Sequence, residues 1–249
     1  MKTSFAGLAP APAFQPLYRQ IKKLITELLE SGEWRPGEAI PSEIDLAQRF
    51  SVSQGTVRKA VAELAGENVL VRRQGRGTFV ASHSHARAHL SFLHVTPDRG
   101  RAERLEARLV DLKRVRADAT SAGLLGLDPG GTLIRLRRLL WINGRGPVVL
   151  EEVRLPASAF RGLDATVAEA HRCMLYSMYE AAFGVKVVAA EERLKAVAAD
   201  ADTAHMLGVC AGDALLRIER VAYTYGGKPV ELRRGFCNTR FHHYANALS

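Results

Sequence analysis

The 249-residue chain has few cysteines, no long apolar run and no catalytic signature, and each absence narrows the field. Its three cysteines, Cys173, Cys210 and Cys237, are odd in number and far apart, so neither a disulfide framework nor a zinc pair fits them. Buried thiols in a reducing cytoplasm are the expectation. No stretch of about 18 apolar residues occurs, which argues against a membrane-spanning helix. Residues 1–13 are rich in Ala and Pro but lack the apolar core of a signal peptide, and they read as a loose arm. There is no Gly-x-Ser-x-Gly, P-loop, zinc-protease or dinucleotide pattern. No catalytic residue, metal or cofactor is therefore assigned.

What is present is an ordinary globular composition with a basic excess. Apolar residues make up 47% and charged residues 24%, enough for real cores. The net charge of +9 favours polyanionic partners, but it is divided as +4 over residues 1–90 and +5 beyond. Charge alone does not mark one end as the binding end, so the argument passes to pattern.

Residues 35–80 read as a winged helix-turn-helix. Pro41-Ser42-Glu43 opens a short helix through Leu46, Ala47 and Phe50, with Ser42 as cap and Asp45 as a shortened capping-box partner. A turn at Ser51-Val52-Ser53 leads into a second helix from Gln54. There Val57, Ala60, Val61 and Leu64 form the buried stripe, leaving Gln54, Thr56, Arg58 and Lys59 outward. A strand at residues 70–73, a tip at Gln74-Gly75-Arg76-Gly77 and a return strand at 78–80 form the wing. An earlier helix over residues 16–30 repeats Leu17, Ile21, Leu24 and Leu28, with Ile25 and Leu29 beside them, and packs beneath these two. Two short helices joined by a small turn lay one helix in a major groove, and a basic hairpin reaches phosphates or the minor groove. Duplex DNA is the expected partner.

Residues 81–90 lack an apolar period and read as a linker. His83, His85, His89 and His94 lie there or just beyond, without carboxylate or thiolate neighbours in sequence, and read as exposed histidines rather than metal ligands. Strands then dominate. Residues 105–116 and 132–142 are strands, and Asn143-Gly144 turns the second into residues 148–155. Residues 185–198 are a strand, and 214–224 and 229–237 form a hairpin about Gly226-Gly227. Helices are expected over 117–127, over 175–183 ended by Gly184, and over 201–207 before Gly208. The class is α+β, with an antiparallel sheet.

The ordered set Arg35-Pro36-Gly37, Pro41-Ser42-Glu43, Leu46-Ala47, Val52-Ser53, Thr56-Val57-Arg58 and Gly75-Arg76-Gly77-Thr78-Phe79-Val80 resembles the GntR family of bacterial transcription regulators. The downstream part resembles the HutC-type effector domain, UTRA, through residues 124–130, 151–156, Ser177-Met178-Tyr179, Gly184, Arg220 with Tyr223, and Gly227-Lys228-Pro229-Val230-Glu231. The resemblance implies a chorismate-lyase-like fold for residues 91–249, a DNA-binding unit at 1–80, a cytoplasmic homodimer on operator DNA, and a small anionic metabolite effector, most simply acting on a repressor. A chorismate-lyase-type enzyme with an accessory DNA head is the alternative, and an empty sensor is a third reading.

Arg35, Ser42, Arg49 and Lys59 are assigned to phosphates, Gln54, Thr56 and Arg58 to the major groove, and Gly75, Arg76 and Gly77 to the wing tip. Arg72 and Arg73 divide between phosphate contact and solvated strand. Two departures matter. The family's usual Arg after Val-Ser is Gln54 here, which favours adenine over guanine. The family's frequent Arg is replaced by Ile44, which removes one phosphate contact.

For the effector the candidates are Arg138, Glu151, Ser177, Tyr179, Glu192, Tyr223 and Glu231. Where sugar-phosphate-binding members carry Arg-Leu-Arg, this chain has Arg138-Leu139-Leu140, or with a shift of one residue Arg137. The loss of the second cation favours a carboxylate over a phosphate. Glu151 shares a strand face with Val153 and Leu155, so it needs either a ligand or a buried partner.

Overall fold

The computed structural model describes residues 15–82, 94–100, 104–144 and 146–246. The N-terminal arm, most of the linker and His83, His85 and His89 lie outside the described residues. Two compact units emerge, residues 1–34 with 38–80, and residues 35–37 with 81–249.

The first unit holds α1 (Leu17–Glu30), α2 (Glu43–Arg49), α3 (Gln54–Gly66), β1 (Leu70–Arg73) and β2 (Gly77–Val80). Ser42 caps α2 in a complete capping box, accepting from the Asp45 amide while the Asp45 carboxylate accepts from the Ser42 amide. Ser53 caps α3 by accepting from the Thr56 amide. Between them Ser51 takes a positive φ of 54°, which lets the chain reverse over three residues. Val57, Ala60, Val61 and Leu64 are buried as the helical period requires. The stripe of α1 is narrower than expected. Ile21, Ile25 and Leu29 are buried, but Leu17 and Leu24 are exposed at 49% and 42%. A row spaced by four suffices for contact with one neighbouring helix. Lys22 fixes that contact through Glu63 at 3.3 Å and Glu67 at 2.5 Å. In the wing Arg73 pairs with Gly77 across the tip, and Gly75 and Gly77 hold φ of +69° and +105°.

The second unit is built on a six-stranded antiparallel sheet in the order β4-β5-β6-β9-β8-β7. These strands are β4 (Leu105–Arg116), β5 (Thr132–Ile142), β6 (Pro147–Pro156), β7 (Ala189–Ala198), β8 (Ala214–Tyr223) and β9 (Pro229–Asn238). Side chains alternate between two faces. One face is covered by α5 (Ala165–Ala170) and α6 (Leu175–Phe183), with Ile134, Leu136, Val153, Leu155, Phe160, Met178 and Tyr179 at the core. On the other face α4 (Ala119–Leu125) packs over Leu133, Val221 and Leu232, and α7 (Ala201–Leu207) over Leu139, Leu150 and Leu215. Between those two patches the register sets Asp111, Arg137, Glu152, Arg234, Glu219 and Arg193 in one line, alternating in sign across all six strands. Opposite charges directly across an antiparallel pair stabilise it.

Several expectations are corrected. Residues 185–188 are not strand; Lys186 and Val187 are buried after the left-handed Gly184 cap. The helix α5 and the small pair of β3 (Val95–Pro97) with β10 (His242–Tyr244) are additions. Cys237 is buried, whereas Cys210 is exposed in the turn that leads into β8, where its amide donates to Asp213. No helix among the described residues is long and apolar enough to cross a membrane.

Candidate functional site

Two sets of residues carry the chemistry, one in each unit. On the head, Gln54 stands exposed at the first position of α3, with Arg58 one turn further on the same side. Lys59 is exposed and its Nζ lies 3.9 Å from the centre of the Tyr18 ring. Thr56 is half-buried, with its hydroxyl 2.9 Å from that of Ser53, so it is tied into the cap. The Ser42 hydroxyl donates to Asp45 at 2.7 Å. Arg49 is held by Glu33, donating Nη2 to Oε2 at 3.0 Å, and that bond keeps the Glu33 carboxyl below its ordinary range. Arg35 and Arg76 are exposed, Arg76 at the wing tip between the two glycines. Arg35 falls in the second unit, whereas the other groups share the first.

In the second unit, strand register gathers a buried ion-pair group beneath α6. Arg138 on β5 stands opposite Glu151 on β6. Their side chains are 5% and 4% exposed, and Arg138 donates both Nε and Nη2 to Oε2 at 2.7 Å. Arg138 also donates to the Arg172 carbonyl, just before α6. Arg233 on β9 grips Glu231 with Nε to Oε1 at 2.9 Å and Nη2 to Oε2 at 2.8 Å, and reaches Glu151 at 3.4 Å. Arg220 on β8 holds Glu192 on β7, Nε to Oε1 at 2.6 Å, and touches the Tyr176 hydroxyl at 3.3 Å. Tyr176 and Tyr179 descend from α6 onto the two oxygens of Glu231 at 3.1 and 2.6 Å. Tyr244 closes the far side on Glu192.

Three arginines thus face three glutamates. Burial alone would push the carboxyl of Glu151 up, but the charges of Arg138 and Arg233 hold it down at about 2. Glu231 is likewise held low by Arg233 against its burial. Burial and the neighbouring Glu231 push the Tyr176 phenol up to about 12. Glu151, Glu231, Arg220 and Arg233 therefore keep their charge at neutral pH. Such a group is costly to desolvate and specific in geometry.

Of the expected effector residues, Arg138, Glu151, Tyr179, Glu192 and Glu231 belong to this group. Ser177 does not; it is half-buried in α6 and stands outside the hydrogen-bonded set. Tyr223 is placed on the opposite face with Leu124 and Leu127, because it stands three residues from Arg220 on β8 and alternation gives it the face of Val221. Arg135 and Arg137 also take the opposite face, Arg135 pairing with Asp111 at 3.2 Å. Sequence reading missed Arg220, Arg233, Tyr176 and Tyr244 as members of the site. The signal for Arg233 was its spacing of two from Glu231, which puts both on one strand face. On the head it missed Glu43, whose carboxylate is shared by Arg58 and Arg72.

Comparison with known proteins agrees with both halves. Residues 17–80 match the gntR family of bacterial regulatory proteins, and residues 100–242 match the UTRA domain. The histidine utilization repressor of Klebsiella aerogenes is 31% identical over 219 residues, 85% of this chain and 86% of its own. The transcriptional repressor PhnF of Mycolicibacterium smegmatis is 32% identical over 231 residues, 92% of this chain and 90% of its own. Among solved structures, the ligand-binding domain ascribed to a GntR-family regulator of Bordetella bronchiseptica is 41% identical with a TM-score of 0.60, covering 63% of this chain and 96% of that one. These matches are to transcription regulators and not to enzymes, which removes the lyase alternative. The chain belongs to the GntR family of DNA-binding transcription regulators, with a UTRA effector domain as its second unit.

Proposed function

We propose that the protein is a homodimeric, operator-specific repressor in the cytoplasm, released from DNA by a small anionic metabolite bound at the ion-pair group under α6. The observation that carries this reading is the buried set of Arg138, Glu151, Arg220 and Glu231 with the largely covered Glu192 and Arg233 beside it, which exceeds what a sheet core needs. A ligand carboxylate would take the place of Glu151 on Arg138, while Glu151 and Glu231 would accept from amine or hydroxyl groups on the rest of the ligand. A carboxylate is favoured over a sugar phosphate because Arg135 and Arg137 lie on the other face, so β5 offers one cation.

The helix α6 supports a route from ligand to DNA. Its Tyr176 and Tyr179 hold Glu231, and near its other end Glu180 accepts from the Ser82 hydroxyl at 2.9 Å while Lys186 donates to the Ala81 carbonyl. Ala81 and Ser82 directly follow the wing. A ligand that shifts α6 would therefore act on the start of the linker, provided its affinity differs between the two placements. Two half-sites on the operator would match a two-fold dimer. A mobility-shift assay with the DNA flanking the protein's own gene, with and without small carboxylates, tests the reading. Failure to bind any duplex at low salt would overturn it.

A further inference from the structure

Glu43 is the first residue of α2, and its carboxylate joins three elements of the head. Oε2 accepts from Nε of Arg58 on α3 at 2.9 Å, and Oε1 accepts from Nη2 of Arg72 on β1 at 2.9 Å. The same Nη2 lies 3.5 Å from the Arg58 carbonyl. Glu43 is itself largely covered at 22% side-chain exposure, whereas Arg58 and Arg72 are 60% and 47% exposed. An acid inside a DNA-reading surface repels phosphate, so its presence between two arginines needs a reason.

We propose that Glu43 is a positioning residue that makes DNA binding selective, by withholding Arg58 and Arg72 from phosphate and presenting Arg58 to a base edge. The inference rests on the assignment of Arg58 to the major groove. Two unrestrained arginines would satisfy themselves on phosphates of any sequence, each releasing counterions. With both carboxylate oxygens engaged, the three side chains carry one net positive charge instead of two. The bond to Arg58 uses Nε and leaves the terminal Nη pair, the fork that guanine O6 and N7 accept. Holding a long side chain in one rotamer before DNA arrives also removes part of the ordering cost of the base contact.

The test uses the full-length protein carrying Glu43→Gln or Glu43→Ala, each first checked for an unchanged unfolding midpoint of the head. The probes are a random-sequence duplex and a duplex pool with a randomised core. Binding to the random duplex should tighten by about three- to tenfold, with the slope of log K against log salt steeper by about 1 to 2 as two cations turn to phosphate. Selection from the pool should show a weaker base preference at one position per half-site. In an Arg58→Ala/Arg72→Ala background the same Glu43 substitution should change random-duplex binding by less than about twofold, because only general charge remains. An unchanged salt slope, an unchanged consensus, or equal tightening in that background would each overturn the proposal. Arg58→Ala alone, which tests the groove assignment, keeps a failure of that assignment separate from a failure of Glu43.

Discussion

Tyr179 donates its phenolic hydrogen to Glu231 at 2.6 Å, and both side chains are fully buried. The bond ties α6 to β9 and restrains one oxygen of a carboxylate that also holds Arg233. Burial and the adjacent Glu231 charge push the Tyr179 phenol well above its ordinary value, so it remains a donor at any physiological pH. Tyr179→Phe should lower unfolding stability by about 1.5–3 kcal/mol, the range for a hydrogen bond to a charged group. Denaturant unfolding of the variant measures it, and an unchanged midpoint would show that Tyr176 and Arg233 hold Glu231 unaided.

Arg138 offers a sharper contrast. Arg138→Ala leaves Glu151 buried with only Arg233 at 3.4 Å, and should cost about 3–5 kcal/mol as one-sided removal of a buried pair does. Arg138→Met with Glu151→Leu removes both charges and should recover most of that loss. If the double variant is no more stable than the single one, the pair is held by its surroundings more than by its partners. The double variant also keeps the ligand question testable, because it should fold and yet ignore the effector in a mobility-shift assay.

The acid limb follows from Glu151. Its folded carboxyl sits at about 2, depressed from an ordinary 4.5 by Arg138 and Arg233 against its burial. A depressed carboxyl contributes stability that is fully present above the unfolded value and is lost as pH falls through the folded one. The effector unit should therefore lose stability between about pH 4.5 and 2, with Glu231 adding in the same direction. Compared with wild type, Glu151→Gln should show a shallower decline over that window. Parallel pH profiles would remove Glu151 from the account.

Much of this arrangement could be read from the chain. Ser42 with Asp45, and Ser53 before Gln54, announce the helix starts because short polar side chains satisfy the first amides. Gly184 and Gly208 announce two of the stops in the left-handed conformation a C-terminal cap requires, whereas Gly126 caps α4 inside the expected helix over 117–127 and cuts it short at Leu125. The strands β4 and β5 keep the bounds their alternation implies. What stayed hidden depends on partners far apart in sequence. The β3–β10 pair joins two three-residue strands from opposite ends of the unit, too short to carry a period. The six-residue α5 offers little beyond its Asp164 cap.

The site was legible in part for the same reason. Glu151 needed a partner, but that the partner is Arg138 follows from the register of β5 with β6, which a four-residue loop and a bulge near Trp141 determine. The assignment of Tyr223 failed on parity, because a residue three places from Arg220 on one strand takes the opposite face, with Val221. Arg220 and Arg233 meet across the β8–β9 hairpin that Gly226-Gly227 announces, but Glu151 reaches Arg233 only because β6 lies beside β9, an order no local pattern reveals.

The latch at the start of the linker predicts a separable defect. Ser82→Ala combined with Glu180→Gln removes the hydroxyl-to-carboxylate bond without touching the ion-pair group. Ligand affinity measured by calorimetry should stay within about twofold, while ligand-driven release of operator DNA should weaken by about tenfold, within the range of ordinary coupling free energies. Loss of ligand binding itself would mean that this contact supports the site and does not transmit from it.

Gln54 bears on operator choice. It is exposed at the first position of α3, where a recognition helix meets base edges, and its amide can pair with N6 and N7 of adenine. Gln54→Arg replaces that group with a fork matched to guanine O6 and N7. Selection from a randomised duplex pool should therefore exchange adenine for guanine at one position in each half-site and leave the others unchanged. The altered contact should be worth about 1–3 kcal/mol against the former base. Because Arg58 lies one turn further along the same side, its preferred base should not move, and Arg58→Ala should erase a different position from the consensus. An identical consensus for wild type and Gln54→Arg would place Gln54 against the backbone and not the bases. In that case base reading on the head would fall to Arg58 and the wing.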